Sequence, residues 1–428
     1  MKNALFYLTY NGFYNYTTGI GTQTKVILKG LARFYPQFKR IYGDFDFNII
    51  VPKFNSTVDG YSSKHLEFAK QVVRKLGGRC YTCESSLDAP NTDFWSVNNW
   101  TLIAKSASKI ILDESLKYEN VITLAVDPPF LHVPRLIAEQ TRGDPKYKSV
   151  ILMYTSSYIH NQEDFSYEKL GWEYTGLAST RFHNTIKVGD TCKFMTKRFH
   201  KYYGVSKNSF VPYHSSLFLE DVDFKLLPLN VILTKLKKYE IPFDKEIIFA
   251  FGRAARIKGF DLLIDALQFV KPKVHFVLLT VPFEVPSINY KQQLSKLKMS
   301  YTYVHKFSRE LPRALCQYPK CKAVICPSMV EPFSNIPLEV GLWAHKSGPI
   351  IVTSNIDGYL EQIDNEKNGF IFDLNTPNEL SKTITHVLSL PKRRISNIRR
   401  EAYKKVINER DFYKNFNALL SSFWITSC

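Results

Sequence analysis

The chain has 428 residues, of which 45% are hydrophobic and 14% aromatic, and its formal net charge at pH 7 is +18. This length and composition exclude a single small domain and a disordered chain, and they predict two hydrophobic cores. No apolar run reaches the about 20 residues that a transmembrane helix needs, and the N-terminus has no signal-peptide cleavage pattern. We therefore expect a cytoplasmic protein, with peripheral contact at the inner face of a membrane as an open alternative.

The first half of the chain alternates apolar strand patterns with helical patterns, which predicts a parallel sheet with crossover helices. A buried strand over residues 4–10 leads into a loop with Gly19 and Gly21, which opens an amphipathic helix. We interpret residues 1–215 as one Rossmann-like domain. Its further elements are predicted as strands over residues 47–51, 121–126, 150–154 and 186–188 and a helix over residues 65–76, and residues 211–214 resemble the end of a strand.

The second half repeats this alternation after a less regular segment. Residues 216–244 have weak periodicity, and we interpret them as a linker with one helix. A second Rossmann-like domain follows over residues 245–408, and the aromatic-rich residues 409–428 form a terminal helix. The predicted fold class is therefore α/β, with two doubly wound parallel sheets. The strands of the second domain are predicted over residues 247–251, 274–280, 323–326, 350–353 and 369–372.

Two glutamates eight positions apart form the most informative motif of the chain. Glu331 precedes a Pro-Phe-Ser turn, and Glu339 lies within an apolar helical pattern. If most of this spacing is helical, the carboxylates lie about 12 Å apart, which is roughly the reach from a sugar ring to the ribose of a nucleotide-sugar. The helix start offers the backbone N–H groups of Ser334, Asn335 and Ile336 to a diphosphate. A solvent-facing pair of glutamates on an ordinary helix is the alternative.

A predicted strand-to-helix turn carries two basic residues. The strand over residues 247–251 ends at Gly252, and Arg253 and Lys258 flank the turn that follows. In an α/β sheet this turn lies at the carboxyl edge, where ligands bind. A guanidinium and an ammonium group suit a diphosphate leaving group, and two ordinary surface cations are the alternative.

Together these segments resemble the family 4 retaining glycosyltransferases of the GT-B fold. The resemblance implies two Rossmann-like domains facing across a cleft, an N-terminal one for the acceptor and a C-terminal one for the nucleotide-sugar. It also implies that the terminal helix crosses back to brace the first domain. The matching pieces are Gly252-Arg253 with Lys258-Gly259, the segment from Glu331 to Glu339, residues 349–361, Asn368-Gly369, and Gly19 to Thr22 before the first helix.

The resemblance further implies hexosyl transfer, with retention and without a metal, from a UDP- or GDP-sugar to an acceptor hydroxyl. Arg253 and Lys258 would stabilise the leaving diphosphate. Glu331 would contact the donor sugar near its reacting face, and Glu339 would accept the ribose hydroxyls. The other donor- or phosphate-binding residues implied are Gly252, Ser334, Asn335, Ile336, Gly19 and Gly21.

The first half offers a histidine and an aspartate to the same reaction. Members of the family often place a sugar-contacting histidine after the fifth strand. The nearest histidine here is His160, with His132 and His214 as competitors, although a lone histidine is often structural. Asp127, at the end of a predicted strand, would touch the acceptor or cap the Pro-Pro turn that follows.

No cofactor is expected, because cations of the protein would carry the diphosphate charge. Cys80 and Cys83 form a lone CxxC without a second pair at zinc-site spacing. Basic residues are spread along the chain and no nucleic-acid-binding motif is present, so we expect no nucleic-acid partner. The densest basic cluster, residues 392–405, predicts contact with an anionic leaflet, with a solvated helix face as the alternative.

Three other functions share this architecture. A sugar phosphorylase of the glycogen type would need a pyridoxal-binding lysine and a longer chain. A nucleotide-sugar 2-epimerase would lack the paired glutamates, and a non-catalytic sugar- or nucleotide-binding subunit would have lost the cations or glutamates. The sequence leaves open the donor base, the sugar, and whether the acceptor is a glycan, a glycolipid or a small molecule.

Overall fold

In the computed structural model, residues 2–10, 14, 18–53, 61–86, 96–156, 166–270, 274–282 and 288–424 are described. The chain divides into two compact units. The N-terminal unit comprises Met1–Phe218 and Asp411–Cys428, and the C-terminal unit comprises Leu219–Arg410.

The described part of the N-terminal unit contains one parallel sheet of seven strands, in the order β3-β2-β1-β4-β5-β6-β7. The strands at its centre are buried along nearly their whole length, which explains why they read as continuous apolar runs rather than as alternating patterns. The strands are β1 Lys2–Leu8, β2 Phe45–Pro52, β3 Cys80–Cys83, β4 Tyr118–Val126, β5 Tyr147–Leu152, β6 Ile186–Asp190 and β7 Phe210–Pro212.

Helices connect these strands, and four of them begin at a Ser or Thr whose side chain accepts a backbone N–H of the first turn, as is typical of helix N-caps. The terminal helix packs on the first helix through stacked aromatic rings, among them Phe38 and Tyr413. The helices of this unit are α1 Gly19–Tyr42, α2 Ser63–Lys75, α3 Val97–Ser115, α4 Val133–Gln140, α5 Tyr167–Ala178, α6 Lys193–Tyr203 and α15 Phe412–Ser421.

The described part of the C-terminal unit contains a second parallel sheet, of six strands, in the order β10-β9-β8-β11-β12-β13. Its strands are β8 Glu246–Arg253, β9 Val274–Val281, β10 Tyr301–His305, β11 Cys321–Cys326, β12 Ile350–Ser354 and β13 Phe370–Phe372. Its helices are α7 Leu229–Lys238, α8 Phe260–Leu267, α9 Lys291–Leu294, α10 Glu310–Gln317, α11 Asn335–Trp343, α12 Asp357–Leu360, α13 Glu379–Ser389 and α14 Lys392–Glu409.

The segment interpreted as a linker, residues 216–244, differs from the expectation. From Leu219 onward it belongs to the C-terminal unit, and Ile232 and Leu236 of α7 are buried in that unit's core. The one helix predicted in this segment corresponds to α7. Its burial in the core depends on packing against elements distant in sequence, which a local pattern does not reveal. The strands β3 and β10 were likewise not predicted, since each is short and partly exposed.

Both sheets are doubly wound, and each reverses its strand order at one point. In the N-terminal unit this switch point lies between β1 and β4, and in the C-terminal unit it lies between β8 and β11. Loops leaving the carboxyl ends of such a strand pair diverge and leave a crevice in which α/β proteins bind ligands. No helix within the described residues is long and apolar enough to cross a membrane.

Candidate functional site

The loops at the switch point of the C-terminal unit bring together residues that lie far apart in the sequence. One loop follows β8 and ends in a short 3-10 turn, Arg256–Lys258. The other follows β11 and leads into α11. The backbone N–H of Met329 donates to the carbonyl of Ile257 at 2.8 Å and ties the two loops together.

Gly259 allows this close approach. Its φ of 64° and ψ of 27° place it in the left-handed region, which costs a residue with a side chain more than it costs glycine. A Cβ at this position would also overlap the carbonyl oxygen of Pro327 in the second loop. A side chain here would therefore push the two loops apart.

The ammonium group of Lys258 contacts the carboxylate of Glu331 directly. The side chains are 13% and 10% exposed, so this pair is shielded from solvent far more than an ordinary surface salt bridge. The structure thus joins Lys258 of the basic strand-to-helix turn to Glu331, the first of the two glutamates that lie eight positions apart. Arg253, the other cation, ends β8 and is half-buried.

The Glu331 loop rests on the elements that follow β12. A Cβ on Gly358 would overlap the carbonyl oxygens of Glu331 and Pro332, so only glycine lets α12 pack this closely. Beneath the loop, the Ser354 hydroxyl donates to the carbonyl of Ser328 at 2.5 Å, and the Ser328 and Tyr359 hydroxyls are 3.1 Å apart. Neither Gly358 nor these hydroxyls had an individual role in the sequence-based prediction.

The start of α11 differs in part from the expected diphosphate cradle. The helix begins at Asn335, four residues after Glu331, so only the second half of the spacing between the two glutamates is helical. The N–H of Ile336 donates to the Ser334 hydroxyl at 3.3 Å, and the N–H of Ser334 donates to the side chain of Gln362 at 3.4 Å. The backbone N–H groups of Ser334 and Ile336, two of the proposed phosphate donors, therefore have acceptors within the protein.

Glu339 is buried in α11, with 7% of its surface exposed. One carboxylate oxygen lies 3.4 Å from the guanidinium of Arg309, which precedes α10. Burial alone would lower the pKa of Arg309, but the carboxylates of Glu339 and Asp223 outweigh that effect and raise it. Arg309 was not predicted as a site residue, because it follows the short strand β10 and no local sequence motif distinguishes it from other arginines.

Gly252 lies in β8 with a φ of 155°, opposite Thr280 of β9. A Cβ here would meet the ring of Phe260 at 3.4 Å, which is ordinary van der Waals contact. Its requirement for glycine is therefore weaker than that of Gly259 and rests on backbone conformation rather than on close approach.

The N-terminal unit places its candidates at its own switch point. Gly19 and Gly21 were expected in a loop, but they form the first turn of α1. The N–H of Gly21 donates to the hydroxyl of the capping residue Thr18 at 3.0 Å. The helix begins earlier than predicted because this N-cap satisfies a terminal N–H group, which outweighs the low helix propensity of glycine.

Asp127 lies at the carboxyl end of β4, across the switch point from the start of α1. It is fully buried, with a φ of 60° that residues with side chains seldom adopt. Its Oδ1 accepts the N–H of Tyr154 at 2.8 Å, and its side chain makes no capping bond to the Pro-Pro turn. Burial raises the pKa of Asp127 to about 7, against hydrogen bonds from Tyr154 and Thr155 that lower it.

Three phenols surround this edge of the sheet. The hydroxyl of Tyr154 donates to that of Tyr213 at 3.2 Å, and the hydroxyl of Tyr7 lies 3.1 Å from that of Thr24. Burial raises the pKa of Tyr7, Tyr154 and Tyr213, so all three phenols stay neutral. Among the described residues, this edge therefore offers neutral hydroxyls beside the carboxyl group of Asp127.

The predicted histidine cannot be placed, since His160 lies outside the described residues. Its competitor His132 stacks on the ring of Trp172 at 3.8 Å, and its Nε2 lies 2.8 Å from the Trp172 carbonyl oxygen. Burial lowers the pKa of His132, and these contacts give it a structural role. His214 follows β7 near the same sheet edge.

The basic cluster of residues 392–405 lies on α14, and several of its charges are matched by carboxylates. Arg394 lies 3.6 Å from Glu366, Lys404 lies 3.1 Å from Glu401, and Lys405 lies 3.1 Å from Asp364. Among the described residues, no group of three His, Cys, Asp or Glu side chains is arranged to hold a metal ion. Neither observation tests membrane contact or metal independence, which remain predictions.

Comparison with known proteins supports the resemblance. Residues 232–405 match the family described as glycosyl transferases group 1, whereas comparison with curated proteins gives no significant match. Similar solved structures include a glycosyltransferase from Rickettsia africae, with 16% identity, coverage of 99% of this chain and 98% of that one, and a TM-score of 0.69. HepE of Anabaena, in complex with UDP and glucose, has 14% identity, coverage of 98% of both chains and a TM-score of 0.67.

A third similar structure is the sucrose-phosphate synthase of Thermosynechococcus elongatus, with 13% identity, coverage of 98% of this chain and 97% of that one, and a TM-score of 0.69. At these identities the similarity establishes the fold. The two doubly wound sheets and these neighbours confirm the predicted GT-B architecture. The segment that matches the family model lies within the C-terminal unit and includes both Lys258 and Glu331.

Proposed function

We propose that the protein transfers a hexosyl group from a nucleotide-sugar to an acceptor hydroxyl, with retention of configuration and without a metal ion. The observation that carries this proposal is the shielded contact between Lys258 and Glu331 at the switch point of the C-terminal unit. A lysine and a carboxylate lie there side by side, an arrangement that suits transfer from a sugar diphosphate. The match to glycosyl transferases group 1 covers both residues.

In the reaction, the bond between the anomeric carbon and the diphosphate oxygen breaks, and a bond to the acceptor oxygen forms. Charge builds up on the leaving diphosphate while the sugar ring becomes electron-poor, so the site needs cations and a carboxylate within a few ångströms of each other. Lys258 and Arg253 would stabilise the diphosphate, and Glu331 would contact the sugar. The acceptor hydroxyl gives up its proton, and retention is achieved when the departing phosphate oxygen receives it on the same face.

The N-terminal unit is proposed to bind the acceptor. Its edge at β1 and β4 carries neutral phenols and Asp127, which suit sugar or other polyol hydroxyls rather than a diphosphate. HepE is described with UDP-glucose and with UDP, which supports a UDP-hexose donor here, and a GDP-sugar is the alternative. The acceptor is a glycan, a glycolipid or a small molecule.

The test is donor hydrolysis over a panel of UDP-, GDP- and ADP-hexoses, with mass spectrometry of the released nucleotide. We expect one base to be preferred, and we expect activity to persist in EDTA because protein cations take the place of a metal. A strict requirement for Mg²⁺ or Mn²⁺ would contradict metal independence. Nucleotide binding without any turnover would instead identify a non-catalytic binding subunit.

A further inference from the structure

Arg309 lies between two carboxylates that come from separate parts of the C-terminal unit. Its Nε donates to Asp223 Oδ2 at 2.9 Å, and its terminal nitrogen lies 3.4 Å from Glu339 Oε1. Asp223 belongs to a 3-10 turn, Val222–Phe224, at the beginning of this unit. Glu339 belongs to α11, so one guanidinium joins the turn to the helix.

The contact continues into a closed circuit of interactions. The backbone carbonyl of Asp223 accepts a hydrogen bond from the indole nitrogen of Trp343 at 2.8 Å. Trp343 lies four residues after Glu339 in the same helix, so the two side chains share one face. The circuit thus runs from Glu339 through Arg309 and Asp223 to Trp343 and returns to α11.

Such a circuit fixes the position of a carboxylate more firmly than a single ion pair does. The guanidinium is planar and presents its N–H groups in a rigid fork, so both of its contacts constrain the same plane. The side chain of Arg309 is 22% exposed, and that of Glu339 is 10% exposed. Removing the arginine would leave two neighbouring carboxylates without their shared cation.

We propose that Arg309 is a positioning residue, which holds the Glu339 carboxylate where it accepts the 2′- and 3′-hydroxyls of the donor ribose. This inference rests on the proposed function, in which Glu339 binds that ribose. The ligand class is a nucleoside diphosphate with both ribose hydroxyls present. A fixed carboxylate loses less conformational freedom on binding than a mobile one, so the arginine contributes to affinity without touching the ligand.

The experiment measures ribose selectivity rather than affinity alone. Dissociation constants are measured by calorimetry for UDP, GDP and ADP, and then for the 2′-deoxy and 3′-deoxy forms of the tightest binder. Hydrogen bonds to a charged acceptor typically change affinity by about tenfold or more, so we expect the wild-type protein to bind each deoxy form about tenfold more weakly. For Arg309→Gln we expect this ratio to fall below about threefold.

Arg313→Gln is the matched control. Arg313 lies one turn further along α10 and donates to the carbonyls of Val222 and Lys225 at 2.9 and 2.6 Å. Arg313 thus binds the same segment as Arg309, but it does so through these two carbonyls rather than through Glu339. We expect its loss to lower thermal stability and to leave the ribose selectivity at the wild-type ratio.

Arg309→Lys covers the case in which Arg309→Gln does not fold. A lysine keeps the charge but cannot span both carboxylates with a planar fork, so we expect the selectivity ratio to fall by at least half. Wild-type selectivity in a folded Arg309 variant would overturn the positioning role, even if the melting temperature had dropped.

Glu339→Gln separates this inference from the proposed function. If it abolishes selectivity while the Arg309 variants keep it, the ribose role of Glu339 stands and only the inference about Arg309 fails. If Glu339→Gln itself keeps wild-type selectivity, or if none of the three nucleotides binds the wild-type protein, the donor assignment fails and the inference fails with it.

Discussion

The carboxyl edges of the two sheets have the same topology but opposite chemistry. At the C-terminal switch point, Lys258 contacts Glu331 and Arg309 contacts Glu339, so two pairs of basic and acidic side chains lie there. At the N-terminal switch point, neutral phenols surround Asp127, whose pKa burial raises to about 7. Under the proposed function, the same crevice geometry would serve two different ligands, a charged one in the C-terminal unit and a hydroxyl-rich one in the N-terminal unit.

This difference shows how a doubly wound sheet acquires its specificity. Strand order fixes where the crevice lies, but the loops decide which charges stand in it. In the C-terminal unit, Gly259 and Gly358 let loops approach so closely that a lysine and a glutamate meet with little solvent between them. In the N-terminal unit, a strained backbone at Asp127 holds a carboxyl group in an apolar setting, where its charged form is disfavoured.

The largest expected effect comes from neutralising the charged edge. Glu331→Gln should lower turnover about 10²–10³-fold, because an oriented polar contact at the reacting centre stabilises the transition state. Nucleotide affinity should change much less, since the carboxylate would contact the sugar rather than the base. Single-turnover donor hydrolysis and calorimetry with the nucleotide measure the two quantities, and the exposed Glu366→Gln is the matched control.

The companion variant Lys258→Ala sharpens this prediction. It should also impair turnover, because the diphosphate charge that it would stabilise grows as the bond breaks. Arg256→Ala changes an exposed cation two residues away in the same turn, and it should keep most of the activity. Equal losses of turnover in the Lys258 and Arg256 variants would mean that the overall positive charge of this edge matters, rather than the specific pair of Lys258 with Glu331.

A smaller effect, on thermal stability, is expected when Asp127 at the N-terminal switch point is replaced. Because the folded-state pKa of Asp127 lies near 7, above the usual value for aspartate, its stabilising contribution is complete at low pH and is lost as pH rises toward 7. Asp127→Asn removes this loss, so its melting temperature should exceed that of the wild type at pH 8 by about 2–4 °C or more, and by less at pH 5.

Thermal melts of both proteins across pH 5 to 8 measure this difference. Glu173, a buried carboxylate that also raises the pKa of Asp127, accepts a hydrogen bond from Tyr203 at 2.7 Å and stays in place in both proteins. A constant difference between variant and wild type at every pH would show that Asp127 is ionised throughout. The N-terminal edge would then be charged like the C-terminal one.

The smallest effect, on binding to anionic membranes, is expected from α14, where several of the basic side chains already lie beside carboxylates. Lys392 and Arg393 are exposed, whereas Arg394, Arg400 and Lys404 each have a carboxylate nearby. Each uncompensated cation contributes about 1 kcal/mol at an anionic surface. We therefore expect weak binding to anionic vesicles at low salt, abolished by Lys392→Glu with Arg393→Glu and reduced less by Arg400→Glu.

Vesicle sedimentation at low and moderate salt tests this expectation, and hydrolysis of a soluble donor should be unchanged in every variant. If no protein sediments at low salt, α14 is a solvated helix face. A soluble glycoside or another small molecule would then be the better acceptor.

The sequence by itself determined the α/β class, the two doubly wound sheets and the segments that carry the chemistry. These features depend on local patterns, since buried parallel strands read as apolar runs and carboxyl-edge loops follow them directly. Glu331, Lys258 and Asp127 could be nominated from these local patterns together with the family resemblance.

Only the tertiary structure decided which of these residues meet. The contact between Lys258 and Glu331 spans more than seventy positions of sequence and depends on the adjacency of β8 and β11. Arg309 could not be nominated, because its partners Asp223 and Glu339 lie on either side of it in sequence and come together only when α10 and α11 pack. The raised pKa of Asp127 likewise depends on burial among side chains from several strands and loops, a long-range property that no local pattern encodes.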